Sequence, residues 1–135
     1  YGYDALNRLH QVTDALNGVT AYAYDAENNR IQVFNAQGEF LSQWTDFIRP
    51  TDIFIDDEET VYVSEFGRRV SIFTIDGKLL ARWGSQGEEK EAALFLAPHA
   101  IAVDSHGDLY VGEVSKTVAQ VDRGPRAVQK FARKT

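Results

Sequence analysis

Apolar positions along this chain come in short runs with a period of two, interrupted every few residues by polar clusters. Ile53 and Ile55 alternate with Asp52, Phe54 and Asp56, and Val61 and Val63 flank Tyr62. That period sends successive side chains to opposite faces of an extended backbone and predicts strands. Between the two runs Asp56-Asp57-Glu58-Glu59 must turn, and Asp104-Ser105-His106-Gly107-Asp108 does the same with better turn chemistry. Val70, Ile72 and Phe73 lead through Asp76-Gly77, a strong hairpin signal, into Leu79-Leu80 and Trp83.

The runs repeat. Arg30-Ile31-Gln32-Val33-Phe34, Gly38 and Phe40-Leu41-Ser42-Gln43-Trp44 match Arg69-Val70-Ser71-Ile72-Phe73, Gly77 and Leu79-Leu80-Ala81-Arg82-Trp83 at an offset of 39 residues. Pro50 through Asp56, continuing to Val61–Glu65, matches Pro98 through Asp104, continuing to Leu109–Glu113. Each unit holds four short meandering strands, which is one blade of a β-propeller, and the spacing lies in the usual range for a blade. Gly38 and Gly77 are the expected structural turn residues. Trp44 and Trp83, at equivalent ends of outer strands, are expected to pack on the neighbouring blade.

The pattern Pro-x-x-Ile-x-x-Asp, then Val/Leu-Tyr-Val, then Arg-x-x-x-Phe, then Gly-x-Phe/Leu-Leu-x-x-Trp resembles NHL repeats. The resemblance runs from about Glu27 to Lys134. It implies half a blade (Arg30–Trp44), a full blade (Pro50–Trp83) and the start of a third (Pro98–Glu113), with a last strand over Arg126–Phe131. The loop from Gly84 to Ala97 joins blades, and its Gly84–Glu91 part is expected to be solvated. The first residues carry a different signature. Tyr3-Asp4-Ala5-Leu6-Asn7-Arg8-Leu9, Gly18 and Tyr22-Ala23-Tyr24-Asp25 resemble a YD repeat, the unit of Rhs proteins, with strands over Arg8–Val12 and Val19–Tyr24 and a turn at Ala15–Gly18. Residues 24–30 read either as a second YD repeat or as the loop between the second and third strands of a blade. The expected fold is therefore all-β: consecutive four-stranded antiparallel blades of an incomplete NHL-type propeller (27–135) behind an N-terminal YD-repeat hairpin (1–26).

Composition narrows the functional classes. The net charge of −6 argues against a nucleic-acid partner, because phosphates must be met by a positive surface. The tail beyond Lys116 is locally basic and reads as a solvated strand face. No apolar run is long enough for a membrane-spanning helix, so no membrane partner is expected. Without cysteine there is neither a disulfide nor a thiolate metal site. The chain starts at Tyr1 and has no methionine, which reads as a processed, excised or engineered piece, with residues 24–30 as the seam of a fusion or fragment.

NHL-like propellers include the peptidyl-hydroxyglycine amidating lyases, whose zinc is held by three histidines near the starts of inner strands. Pro98-His99-Ala100-Ile101 resembles a segment supplying one of them, so the resemblance makes His99 the candidate metal ligand. Thr51 stands at the matching point of the preceding blade, and Ala26 stands where the family has an arginine. A zinc site needs at least three protein ligands. His106 is seven residues from His99 along a chain that rises about 3.3 Å per residue, and His10 belongs to the YD segment. No catalytic residue is assigned, and no cofactor is expected unless zinc. Asp56-Asp57-Glu58-Glu59 lacks the spacing of a calcium loop, and Asp4 and Asp25 read as turn residues. The expected function is a non-enzymatic scaffold for protein interaction or self-association through open blade edges, part of a larger surface or secreted repeat protein. The alternative is a partial amidating-lyase-like propeller. The extracellular or cell-surface location follows from the resemblance alone.

Overall fold

A computed structural model describes residues 2–3, 9–13, 21–25, 29–35, 37–85, 87 and 93–134, with the segments before residue 29 described by backbone alone. Among the described residues twelve strands form three antiparallel sheets. The first has the order β1 (Gly2–Tyr3), β2 (Leu9–Thr13), β3 (Ala21–Asp25), β4 (Arg30–Phe34) and β5 (Phe40–Trp44). The second comprises β6 (Pro50–Ile55), β7 (Thr60–Glu65), β8 (Arg69–Thr74) and β9 (Leu79–Trp83) in chain order. The third holds β10 (Pro98–Val103), β11 (Leu109–Glu113) and β12 (Val128–Phe131). A four-residue helix, α1 (Ser115–Val118), and a 3-10 turn, Gly124–Ala127, join β11 to β12. The last strand thus starts two residues later than expected, because Arg126 and Ala127 are spent in that turn, where Pro125 offers no donor to a ladder.

The first sheet revises the expectation of a half blade. β3 pairs with β4 from Ala21↔Phe34 to Asp25↔Arg30, as β7 pairs with β8 down to Glu65↔Arg69. Asn29 and Arg68, each just before the outgoing strand, both have positive φ (53° and 61°). The YD hairpin therefore supplies the two inner strands of the first blade. The strands on either side of the expected boundary at residue 26, β3 and β4, pair in one sheet. The YD turn at Ala15–Gly18, the position of Ala26 and the segment 88–92 lie outside the described residues.

Four hairpin turns share one design. The N–H groups of Asn35, Asp56, Thr74 and Asp104 each donate to the carbonyl four residues on, and each of their carbonyls accepts from the N–H three residues on. The third residue onward is left-handed every time: Gly38 (φ 83°), Glu59 (62°), Gly77 (90°) and Gly107 (81°). A three-residue loop with a left-handed last residue matches the right-handed twist of the flanking strands. In three of these turns the opening Asn or Asp carboxamide or carboxylate oxygen also accepts two N–H groups inside the turn.

Two cores lie between the blades. Ile31, Val33, Phe47, Ile53, Val61, Val63 and Phe73 pack between the first and second, while Tyr62, Val70, Phe95, Ile101, Leu109 and Val111 pack between the second and third. The middle blade is therefore apolar on both faces, and Phe54 belongs to the second core. Fully burying a side chain of this size contributes roughly 1.5–3 kcal/mol. Trp44 lies against Phe73 (ring centroids 5.4 Å apart) and Trp83 against Phe131 (6.1 Å), so each crosses to the next blade, though both are only half-buried.

Candidate functional site

Both inner strands β6 and β10 begin with a proline, which has no N–H to give a ladder. Pairing steps from Pro50↔Glu65 to Asp52↔Ser64, and from Pro98↔Glu113 to Ala100↔Gly112. Thr51 and His99 are the bulged residues, and a bulge re-aims the side chain it carries. Thr51 uses the freedom structurally: its hydroxyl is 3.0 Å from the carbonyls of Ser64 and Pro98 and 2.9 Å from the Ser64 hydroxyl, linking two blades. His99 is exposed, with its ring 5.7 Å from that of Phe66.

Asp52, next to Thr51, also ties the blades. Its carboxylate accepts the N–H of Ile53 (2.9 Å) and of Ile101 (3.0 Å). Burial pushes its pKa up, against the opposing pull of these two N–H groups and of His99. A buried glutamate closes the second strand of each later blade. Glu65 accepts the Ile48 N–H (2.6 Å), Arg69 Nε (2.8 Å) and the Ser71 hydroxyl (2.5 Å). Glu113 accepts the N–H groups of Leu96 (2.8 Å) and Ala97 (3.1 Å), Arg123 (3.3 Å) and Gln129 (2.9 Å). Each carboxylate fixes the loop that enters its inner strand. The signal was in the repeat, since both glutamates end the matched stretches. Asp25 takes the same register position opposite Arg30.

Above Glu65, Arg49 is left-handed (φ 55°), its N–H donating to Asn29 Oδ1 (2.7 Å) and its carbonyl accepting from the Phe66 N–H (2.9 Å). The guanidinium carbon stands 5.0 Å from the Phe66 ring centre, a cation–π contact. Arg49 and His99 are exposed at the starts of the inner strands, with the half-buried Phe66 between them.

The donor set among the described residues does not fit a zinc centre. Among the described residues no three His, Cys, Asp or Glu side chains are grouped to hold an ion. His106 is in the β10–β11 turn, its Nδ1 3.9 Å from Asp104 Oδ1, and His10 is placed in β2 by its backbone alone. Thr51, at the matching position, is committed to the neighbouring strand. Asp56 caps its own turn and accepts the Tyr62 hydroxyl (3.0 Å), and burial, with this bond second, pushes the Tyr62 pKa up to about 12. Asp104 accepts Tyr110 in the same way (3.1 Å). These two turns flank an open cleft of about 390 Å³ floored by Phe54, Ile55 and Val103 and bordered by Arg133. The basic tail is largely neutralised within the fold: Lys130 pairs with Asp108 (2.8 Å), Lys116 with Asp122 (3.3 Å), Arg133 with Glu58 (3.3 Å), and Arg123 is buried against Glu113. Arg123 thus departs from the solvated reading, because Glu113 and two carbonyls need its donors.

Residues 3–46 match the model of the RHS repeat family, about a third of the chain. No curated protein matches. Among solved structures the fold is similar to a streptogramin B lyase (TM-score 0.61, 10% identity, covering 93% of this chain and 41% of that one). It is similar to virginiamycin B lyase from Staphylococcus aureus (0.60, 12%, 93% and 41%). It is also similar to BamB from Moraxella catarrhalis (0.51, 16%, 70% and 26%). The chain spans less than half the length of each of these structures. These likenesses define the class: an all-β repeat protein with propeller-type antiparallel sheets. Its N-terminal part, through β5, is where the chain matches the RHS repeat model.

Proposed function

We propose that this chain is a non-enzymatic scaffold for protein interaction, built of NHL-type blades within a larger surface or secreted repeat protein, and that it associates through its sheet edges. The observation that carries this reading is the state of the outer strands. Phe40 and Leu41 on β5, and Leu79 and Leu80 on β9, occupy equivalent positions and are 44–55% exposed. Exposed edge strands offer unpaired N–H and C=O groups, and proteins that avoid pairing blunt such edges with charge. Here large apolar side chains occupy them instead. The buried carboxylates and arginines at the strand starts hold loops in place, which suits a rigid platform. The lyase reading has His99 alone in its favour, with Thr51 committed elsewhere.

The test is sedimentation velocity over a concentration series. The chain is expected to self-associate, and the exposed pair Leu41→Lys with Leu80→Lys is expected to shift it to monomer without lowering the melting temperature. A monodisperse, cooperatively melting monomer of the unmodified chain at high concentration refutes the reading.

A further inference from the structure

The second and third blades share the same backbone bond at the inner-strand start: Phe66 N–H donates to the Arg49 carbonyl, and Val114 N–H donates to that of Ala97. The fold is thus satisfied by Ala and Val at these two positions. In the second blade they are replaced by Arg and Phe, and Arg49 alone of the two inner-strand lead residues is left-handed. Strain of this kind, held by surrounding hydrogen bonds, gathers at functional positions. The guanidinium itself is unusual here. Arg69, Arg82, Arg123, Arg126 and Arg133 all donate to carboxylates, carbonyls or a hydroxyl, and Arg30 and Arg68 have partners of their own. Among the described residues Arg49 is the arginine whose guanidinium contacts only an aromatic face. The imidazole of His99, re-aimed by its bulge, meets the same ring from the third blade.

We infer that Arg49 and His99, spaced by Phe66, form a binding site for a carboxylate group, either a peptide chain end or an acidic side chain. A guanidinium presents paired donors that match a carboxylate's two oxygens. Against the Phe66 ring, its donors have no carboxylate, carbonyl or hydroxyl partner among the described residues. The neighbouring imidazole adds a donor, and Asp52, the carboxylate that faces His99, is occupied by two backbone N–H groups. The site goes beyond the edge association above, and either can fail alone.

The test is an NMR titration of the full chain, following the Arg49 and His99 side-chain signals. The probes are acetyl-glycylglycine, its C-terminal amide, acetyl-glutamic acid amide and inorganic phosphate. Saturable shifts are expected with the two carboxylate probes and none with the amide, and the tighter of the two names the source. Arg49→Gly removes the donor and relieves the backbone, so binding should weaken at least tenfold while the melting temperature holds or rises. Phe66→Val, the third blade's residue, should weaken binding several-fold. Equal shifts from the amide, undiminished binding by Arg49→Gly, or tighter binding of phosphate than of either carboxylate overturns the assignment.

Discussion

Gly38 and Gly77 occupy the same position in equivalent turns, yet their surroundings differ, so alanine at each separates two costs. Gly77 has φ 90° and Gly38 has φ 83°. An L-residue held in the left-handed region costs roughly 1–2 kcal/mol, and both substitutions incur that. A Cβ on Gly38 would meet nothing within 4 Å. A Cβ on Gly77 would sit 2.5 Å from Trp44 Nε1 and 2.7 Å from its Cε2. Trp44 is held against Phe73 and the first core, so it has little room to give, and overpacking of this kind costs about 1–3 kcal/mol. Gly38→Ala should therefore cost about 1–2 kcal/mol and Gly77→Ala about 2–5 kcal/mol.

Urea denaturation followed by circular dichroism measures both, with the slope checked for constancy so that the midpoints report stability. Combining Gly77→Ala with Trp44→Leu closes a double-mutant cycle, and the excess at Gly77 should shrink when the indole is gone. Equal losses at the two glycines, or an additive double mutant, would refute the argument that Trp44 rests on the next blade's turn.

Glu59 holds the left-handed position that is glycine in the other three turns, so Glu59→Gly should stabilise the chain by about 1 kcal/mol, read as a raised urea midpoint. Glu65→Gln sets an NH2 group against donors in a buried site and should cost about 3 kcal/mol, whereas Glu58→Gln on the surface should cost under about 0.5. Trp83→Ala should cost roughly 2 kcal/mol, below the 3–5 of a fully buried tryptophan; a loss under about 0.5 in thermal unfolding would remove the inter-blade role. The Tyr62 pKa is raised in the folded chain to about 12, so its contribution is complete below pH 10 and is lost as pH rises toward 12. Stability should fall over that window by on the order of 2 kcal/mol more than in Tyr62→Phe, measured by urea titration at fixed pH.

Much of the fold was legible because strand and turn signals are local. The period of two in Ile53–Ile55 and the Asp76-Gly77 turn depend on neighbours a few residues away, and repetition at 39 residues multiplied each signal. What escaped was set between strands. Phe54 reads as the polar-face partner in its alternation, yet it packs on the third blade, because a blade between two others has no solvent face. Likewise, the Tyr-Asp signature of residues 22–25 suggests a separate hairpin. Pairing register then makes β3 the neighbour of β4, since a third strand with an open ladder takes whichever hairpin the chain delivers beside it.

The candidate site shows the complementary limit. Comparing blades position by position exposes residues that the repeat conserves for folding: Glu65 with Glu113, and Asp56 with Asp104. The same comparison exposes departures, and these were visible at Arg49 against Ala97 and Phe66 against Val114. A departure alone is only a difference. It became chemistry when the backbone showed identical hydrogen bonds beneath unlike side chains, a left-handed arginine in one blade, and a guanidinium set on an aromatic ring where the other arginines engage carboxylates or carbonyls. His99 and Thr51 make the converse case. Their sequence match suggested a shared ligand position, and both are indeed bulged, but Thr51 turns its hydroxyl into the next strand while His99 faces outward. Equivalent places in a repeat share a backbone; what each does is settled by the partners that its own blade leaves free.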